Sequence, residues 1–185
     1  MKRLLPFLLV VLSLQLAGQD RELLKVDRSK VVFISDAPLE YITATNSHAS
    51  GLIDPKEKTF AIQIPIVEFK GFNSPLQREH FNENYMLSGK FPNARFTGRI
   101  IETVDLSTPG EHQVRAKGEF TLKGVTKERI IPCKVIVTNE GIRVVTNFDV
   151  LLDDHQIRVP RVVQQKISSV VKVECDLLFK EQRPQ

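Results

Sequence analysis

The chain lacks most of what would mark it as a membrane, nucleic-acid or catalytic protein. Beyond its first stretch, no apolar run approaches the roughly 20 residues that cross a bilayer as a helix, so stable membrane insertion is not expected. Lysines and arginines are scattered among acids without a sustained block, which argues against a nucleic-acid partner. Only two cysteines occur, Cys133 and Cys175, and neither sits in a C-x-x-C pair or a Cys/His metal pattern. The motifs G-x-S-x-G, H-E-x-x-H, the P-loop and G-x-G-x-x-G are all missing. The sequence therefore names no catalytic residue, no metal and no cofactor, and it is read as a non-enzyme.

What the first stretch does contain is an address. Lys2 and Arg3 precede an apolar run from Leu4 to Leu16, followed by small Ala17-Gly18 and polar Gln19-Asp20. That is the layout of a secretory signal peptide. A lipoprotein would place a cysteine just after Gly18, where Gln19 stands. The expectation is an exported protein, periplasmic or extracellular, with residues 1–18 as signal peptide and 19–185 as one domain. Removing the leader leaves 167 of 185 residues, enough for one sizeable core, and lowers the formal charge from +4 to +2. Export also makes a disulfide admissible. Cys133 and Cys175 both fall on apolar faces, and the sequence leaves open whether they are bridged or free. It is equally silent on oligomeric state.

Period-2 alternation dominates the rest. Val114, Ala116, Gly118, Phe120 and Leu122 alternate with Arg115, Lys117, Glu119, Thr121 and Lys123. Val171, Val173, Cys175, Leu177 and Phe179 do the same near the end, as do Phe60, Ile62, Ile64 and Ile66, and Ile142, Val144, Thr146, Phe148, Val150 and Leu152. Shorter or noisier strands cover 29–34, 41–53, 95–104 and 129–138. Asp54-Pro55, Pro109-Gly110, Lys123-Gly124 and Asn139-Glu140-Gly141 are turn signals between them. About eight alternating strands with short turns predict an antiparallel barrel or sandwich.

One interruption is helical, near 74–88. Ser74-Pro75-Leu76-Gln77 sets a capping serine before a first-turn proline and a glutamine three residues on. Leu76, His80, Phe81, Tyr85 and Leu87 then share a side, and Gly89 and Pro92 end the helix. A second insert, Asp153 to Lys166, carries Ile157, Val159, Pro160, Val162 and Val163; so apolar a stretch is expected to cover a barrel end. His80 and Glu83 stand three apart, but two ligands without a partner motif do not make a metal site. Lys123, Lys127 and Arg129 read as solvated turn residues or as a lure for a phosphate head group. His48, His112 and His155 have polar sequence neighbours and support nothing specific.

An eight-stranded barrel has an interior that side chains just fill, or that holds one small ligand. The inward set mixes bulky Phe33, Phe60, Phe96, Phe120, Phe148 and Phe179 with small Ala44, Gly98, Ala116, Gly118 and Thr146. Small residues leave volume for a ligand; alternatively, the glycines let strands bend at barrel corners. The pattern alone admits both.

Particular segments resemble the YceI-like family. Gly118-Glu119-Phe120-Thr121-Leu122-Lys123-Gly124-Val125-Thr126-Lys127 is similar to its Thr-Leu-x-Gly-Val-Thr hairpin, and His80-Phe81 with Phe91-Pro92 and Phe96 to its helix-to-strand segment. Val26-Asp27, Ser29, Val31 and Phe33 resemble its opening strand, and Phe148, Val150, Leu152, Ile157 and Pro160 its closing part. The resemblance runs in order over about residues 24–180. It implies an all-β, lipocalin-like eight-stranded antiparallel β-barrel with one short α-helix, taking up polyisoprenoid or fatty-acyl amphiphiles. Joined to the alternation, it makes Phe33, Phe60, Ile62, Phe81, Tyr85, Phe96, Ala116, Gly118, Phe120, Val144, Phe148 and Val150 the expected ligand-binding lining, with His80 near the lipid head group. Phe60, Phe96, Phe120 and Phe148 are expected to line one connected space with Ile62, Val144 and Val150. A packed barrel acting as an envelope or stress-related interaction protein is the alternative, and an enzyme with an unrecognised site ranks third.

Overall fold

The computed structural model describes residues 23–182, so the leader assigned to 1–18 lies outside the described residues. The alternating segments form β1 (Leu24–Ala37), β2 (Glu40–Asn46), β3 (Ser50–Asp54), β4 (Thr59–Pro65), β5 (Asn93–Ile100), β6 (Gly110–Leu122), β7 (Val125–Thr138), β8 (Gly141–Leu151) and β9 (Val170–Lys180). All pairings between them are antiparallel, and β9 pairs back onto β1 to close the sheet. β2 and β3 lie one after the other against β1 and fill a single strand position, so the barrel is eight-stranded. Burial follows the alternation: on β7, Ile131, Cys133, Val135 and Val137 point into the core. A one-residue slip would drive Arg115, Lys117 and Glu119 of β6 inward instead, which fixes the register.

The segment expected as one strand over 41–53 is two strands because of Asn46. Its amide Nδ2 donates to the Pro65 carbonyl at 2.7 Å, and its Oδ1 accepts from the His48 backbone N–H at 2.7 Å. The residue is wholly buried and takes the place of ladder hydrogen bonds where the backbone turns aside. β3 pairs with β4, whereas β2 reaches β4 only through Asn46 and Pro65 and meets the segment after it through reciprocal Thr45–Lys70 hydrogen bonds. Glu40 and Ile42 of β2 border the barrel cavity.

Strand directions put the turn between β1 and β2, the connection from Ile66 to Pro92, the tight β6–β7 turn and the β8–β9 connection at one end, here the upper end. α1 (Pro75–His80) belongs to this end and continues as a single π-type turn over Phe81–Tyr85. It is capped as the sequence suggests, the Ser74 side chain accepting from the Gln77 N–H. Gln77 does not close the capping box on Ser74; its Oε1 accepts from the Asn73 N–H and its Nε2 donates to Glu40 at 2.8 Å. The helix is thereby tied to the β1–β2 turn. It stops short of residue 88 because Leu87 takes a left-handed backbone at φ 50°.

Two inward glycines do not have the role expected of small residues. Gly98 and Gly118 stand directly opposite each other in the β5–β6 ladder. A Cβ on Gly98 would run into the Lys117 carbonyl, and one on Gly118 into that of Thr97. They permit a close backbone approach and leave no volume there, one of the roles glycine takes inside strands.

Both cysteines are free. Cys133 faces Val114 across β6–β7, while Cys175 faces Thr146 across β8–β9. With β8 running between their strands, the two Cα atoms are about two strand spacings, or 9–10 Å, apart. A disulfide needs about 4.4–6.8 Å. Burial pushes the thiol of Cys133 up and that of Cys175 up to about 12, so both act as small hydrophobes.

Candidate functional site

The upper half of the barrel encloses a cavity of about 450 Å³. Its deep wall is strand: Val31, Ile64, Phe120, Phe148, Val150 and Val173. Its roof comes from the connections. The Ile66–Phe72 segment supplies Ile66, Phe69 and Phe72; α1 and its π-type turn supply Leu76, His80, Phe81, Tyr85 and Met86; the β8–β9 connection supplies Ile157, Val163, Lys166 and Ile167. Four phenylalanines hold the roof to the wall. Phe33 stacks on Phe81 at 5.2 Å between centroids and meets Phe69 edge-on at 5.2 Å, with Phe72 5.1 Å from Phe81. Such pairs add about 0.5–1.5 kcal/mol each beyond area burial.

Apart from Ser35 and Tyr85, the charged and hydrogen-bonding side chains of the cavity lie at its rim. Glu40, Ser74, Gln77, His80 and Lys166 border the cavity near its mouth, and His80 and Lys166 are exposed there. Ser35 lies inside but is occupied, its Oγ accepting from the Ser168 N–H at 2.9 Å. Tyr85 is half-buried, and burial raises its phenol above the ordinary value. The deep wall carries no ionisable group.

Below this cavity the barrel is nearly full. A second space of only about 80 Å³ is bounded by Phe60, Ile62, Phe96, Ala116, Val144 and Cys133, among others. Val31, Ile64, Phe120 and Phe148 border both spaces. The lining expected from the sequence is thus divided between two adjoining spaces. Of the expected wall, Phe33, His80, Phe81, Tyr85, Phe120, Phe148 and Val150 surround the large one. Phe60, Ile62, Phe96, Ala116 and Val144 surround the small one, with Phe60 and Phe96 5.0 Å apart between centroids. Gly118 borders neither, for the reason its opposite glycine gives.

Sequence reasoning missed Phe69 and Phe72, which lie between the last residue of β4 and the helix cap. The signal was the pair of aromatics around Gly71, whose φ of 100° turns the chain back over the barrel. It also misjudged His155. Despite its polar sequence neighbours, His155 has no exposed surface and meets Phe120 edge-on at 5.2 Å. Its Nδ1 lies 3.1 Å from the Val125 carbonyl, which places the hydrogen there. Burial lowers its pKa below the ordinary value, outweighing the pull of that carbonyl. The folded chain therefore holds His155 neutral, while the unfolded chain protonates it near about pH 6.5. Stability present above that pH is lost as pH falls toward the folded pKa. Urea midpoints compared at neutral and mildly acidic pH should fall on acidification, and His155→Gln should flatten the difference; an unchanged slope in the variant removes His155 as its source.

A closed antiparallel barrel with a roofed apolar cavity at one end defines a lipocalin-like barrel. Residues 24–179 match the YceI-like domain, and the chain belongs to that family. Solved structures share the fold at low identity. A polyisoprenoid-binding domain from Saccharophagus degradans, implicated in plant cell wall breakdown, superposes with a TM-score of 0.73 at 15% identity, over 86% of this chain and 98% of that one. BcnA of Burkholderia cenocepacia gives 0.68 at 14%, over 80% and 94%, and a Campylobacter jejuni YceI protein 0.57 at 14%, over 74% and 82%. No curated protein sequence matches the chain significantly.

Proposed function

We propose that this protein binds one single-chain amphiphile of prenyl or fatty-acyl type, with its tail in the upper cavity and its head group at the rim beside His80 and Lys166. The observation that carries the reading is the cavity of about 450 Å³ whose charged side chains stand only at its mouth. That volume is in the range of small-molecule sites, roughly 300–1,000 Å³. Each methylene taken from water contributes about 0.8 kcal/mol. A tail of ~12 carbons thus gains roughly 10 kcal/mol, enough to exceed the several kcal/mol cost of association. The fold shared with a polyisoprenoid-binding domain supports a prenyl tail, and the leader pattern of residues 1–18 supports an exported protein.

The test is mass spectrometry of an organic extract of the purified protein, with titration by a fluorescent fatty acid or prenyl alcohol. The expected result is a co-purifying amphiphile or saturable uptake at one site per chain. Neither extractable lipid nor uptake would decide for a barrel acting through its surface.

A further inference from the structure

We infer that the cavity end of the barrel is a docking face for an anionic lipid bilayer. The large apolar side chains left in solvent are gathered at this end: Val162 is 91% exposed, Leu39 65% and Leu76 57%, and only Leu23, Ile101 and Ile130 of this kind lie elsewhere among the described residues. Water penalises each such side chain, and clustering at one end is the pattern of an interaction surface. The three tips are held in place. The Leu39 N–H donates to the Gln165 carbonyl at 2.8 Å, joining the β1–β2 turn to the β8–β9 connection, and Gln77 ties the helix of Leu76 to Glu40 of the same turn.

Charge identifies the partner. From Gln156 to Lys166 the chain carries Arg158, Arg161 and Lys166 and no acid. Lys123 joins them, donating to the Gln156 carbonyl at 2.9 Å, and the charge of Arg158 reaches its ammonium. None of these four cations forms an ion pair with a carboxylate among the described residues, although eight other ion pairs occur on the molecule. Acids at this end lie off that connection or at its root: Asp36 is exposed beside the β1–β2 turn, and Glu68 pairs with His48 and Lys70. Glu40 accepts from Gln77 and Asn73, Glu79 and Glu83 border a shallow hollow with Lys70 and Arg78, and Asp153 and Asp154 sit at the root of the connection. An exposed apolar tip flanked by unpaired cations matches the two layers of an anionic bilayer surface, acyl boundary and phosphate. A protein partner with an acidic face would match the cations but leave the protruding valine without a destination. The docking stands on this surface alone; its use, passing a tail between bilayer and cavity without crossing water, rests on the proposed function.

The experiment is vesicle flotation of the full mature chain, with phosphatidylcholine vesicles and with vesicles of phosphatidylcholine and phosphatidylglycerol, at low and high salt. The expected result is binding to the anionic vesicles, weakened by salt. Arg158→Ala with Arg161→Ala should lower partitioning about 25-fold, taking each cation at about fivefold, and Val162→Asp roughly tenfold or more. None of these residues borders the cavity, so melting temperature and uptake of a fluorescent fatty acid in vesicle-free solution should persist. Flotation that fails in the parent, or that the variants leave unchanged, overturns the docking face. So does a parent dimer that Val162→Asp dissociates without affecting flotation, because the apolar tips would then belong to a second copy. Solution uptake that fails while flotation persists overturns the ligand reading and leaves the docking face standing.

Discussion

Replacing Ala94 by phenylalanine is expected to weaken uptake of an acyl or prenyl tail about a hundredfold while the barrel stays folded. Ala94 is buried on β5 opposite Ile64 and borders the cavity of about 450 Å³. A phenyl ring there occupies the room of about four methylenes, so the lost tail contacts amount to roughly 3 kcal/mol, or a hundredfold in affinity. The ring enters free space, so the cost to folding should be small. Ala116→Phe is the control that separates the compartments. Ala116 borders the lower space of about 80 Å³, which cannot accept a ring. Overpacking should cost about 1–3 kcal/mol of stability and leave tail affinity close to that of the parent. Urea unfolding and fluorescent-lipid titration of both variants check the pair. Equal loss of stability with equal loss of uptake would mean that the two compartments act as one space.

That two-part interior also shows where the sequence was readable. Alternation in β6, β8 and β9 assigns Phe120, Phe148 and Val173 to the inner face, because a residue's side of a strand depends on parity alone. The Ser74 cap and the turn signals at Asp54-Pro55 and Lys123-Gly124 are likewise local, and the structure has them. Height along the barrel is not local. Whether an inward phenylalanine borders the upper or lower space depends on strand stagger and on which strand lies opposite. Phe60 and Phe148 are equivalent by alternation yet differ in this respect, Phe148 bordering both spaces and Phe60 only the lower.

The same limit explains the glycines, the cysteines and His155. Gly118 reads as spare volume until Gly98 is known to face it, and that pairing is set by the β5–β6 register. Cys133 and Cys175 share the inward parity of a bridged pair, and only the strand order puts β8 between them. His155 follows two aspartates in sequence, but the short 3-10 turn of Asp153–His155 rotates it inward against Phe120. The break at Asn46 is the least readable, since it exchanges ladder hydrogen bonds for those of one side chain. Next to it β2 has no ladder with β4 and is bridged instead to Lys70 of the segment that carries Ile66, Phe69 and Phe72.

Phe120→Ala is expected to produce the largest loss of stability and, with it, a change in which tails bind. Phe120, with Val31, Ile64 and Phe148, stands between the two spaces. It borders both, and its ring meets Phe96 at 6.4 Å, Phe148 at 6.0 Å and His155 at 5.2 Å. Truncation removes all three contacts and leaves a void at the barrel centre, at a cost of about 3–5 kcal/mol. The void joins the upper cavity to the lower space, so the variant should favour tails several carbons longer than the parent does. A bound tail that reaches the void restores part of the lost packing, and ligand bound only by the folded state raises stability by mass action. The variant should therefore gain more than the parent from a long-chain ligand, and no more from a short one. Urea unfolding with and without a series of chain lengths reads both effects. A stability loss below about 1 kcal/mol would mean that neighbouring rings collapse into the space, outside the usual range for a buried phenylalanine. An unchanged length preference would mean that the tail never reaches Phe120, and the floor of the binding site would then have to lie higher, among Val150, Val173 and the roof.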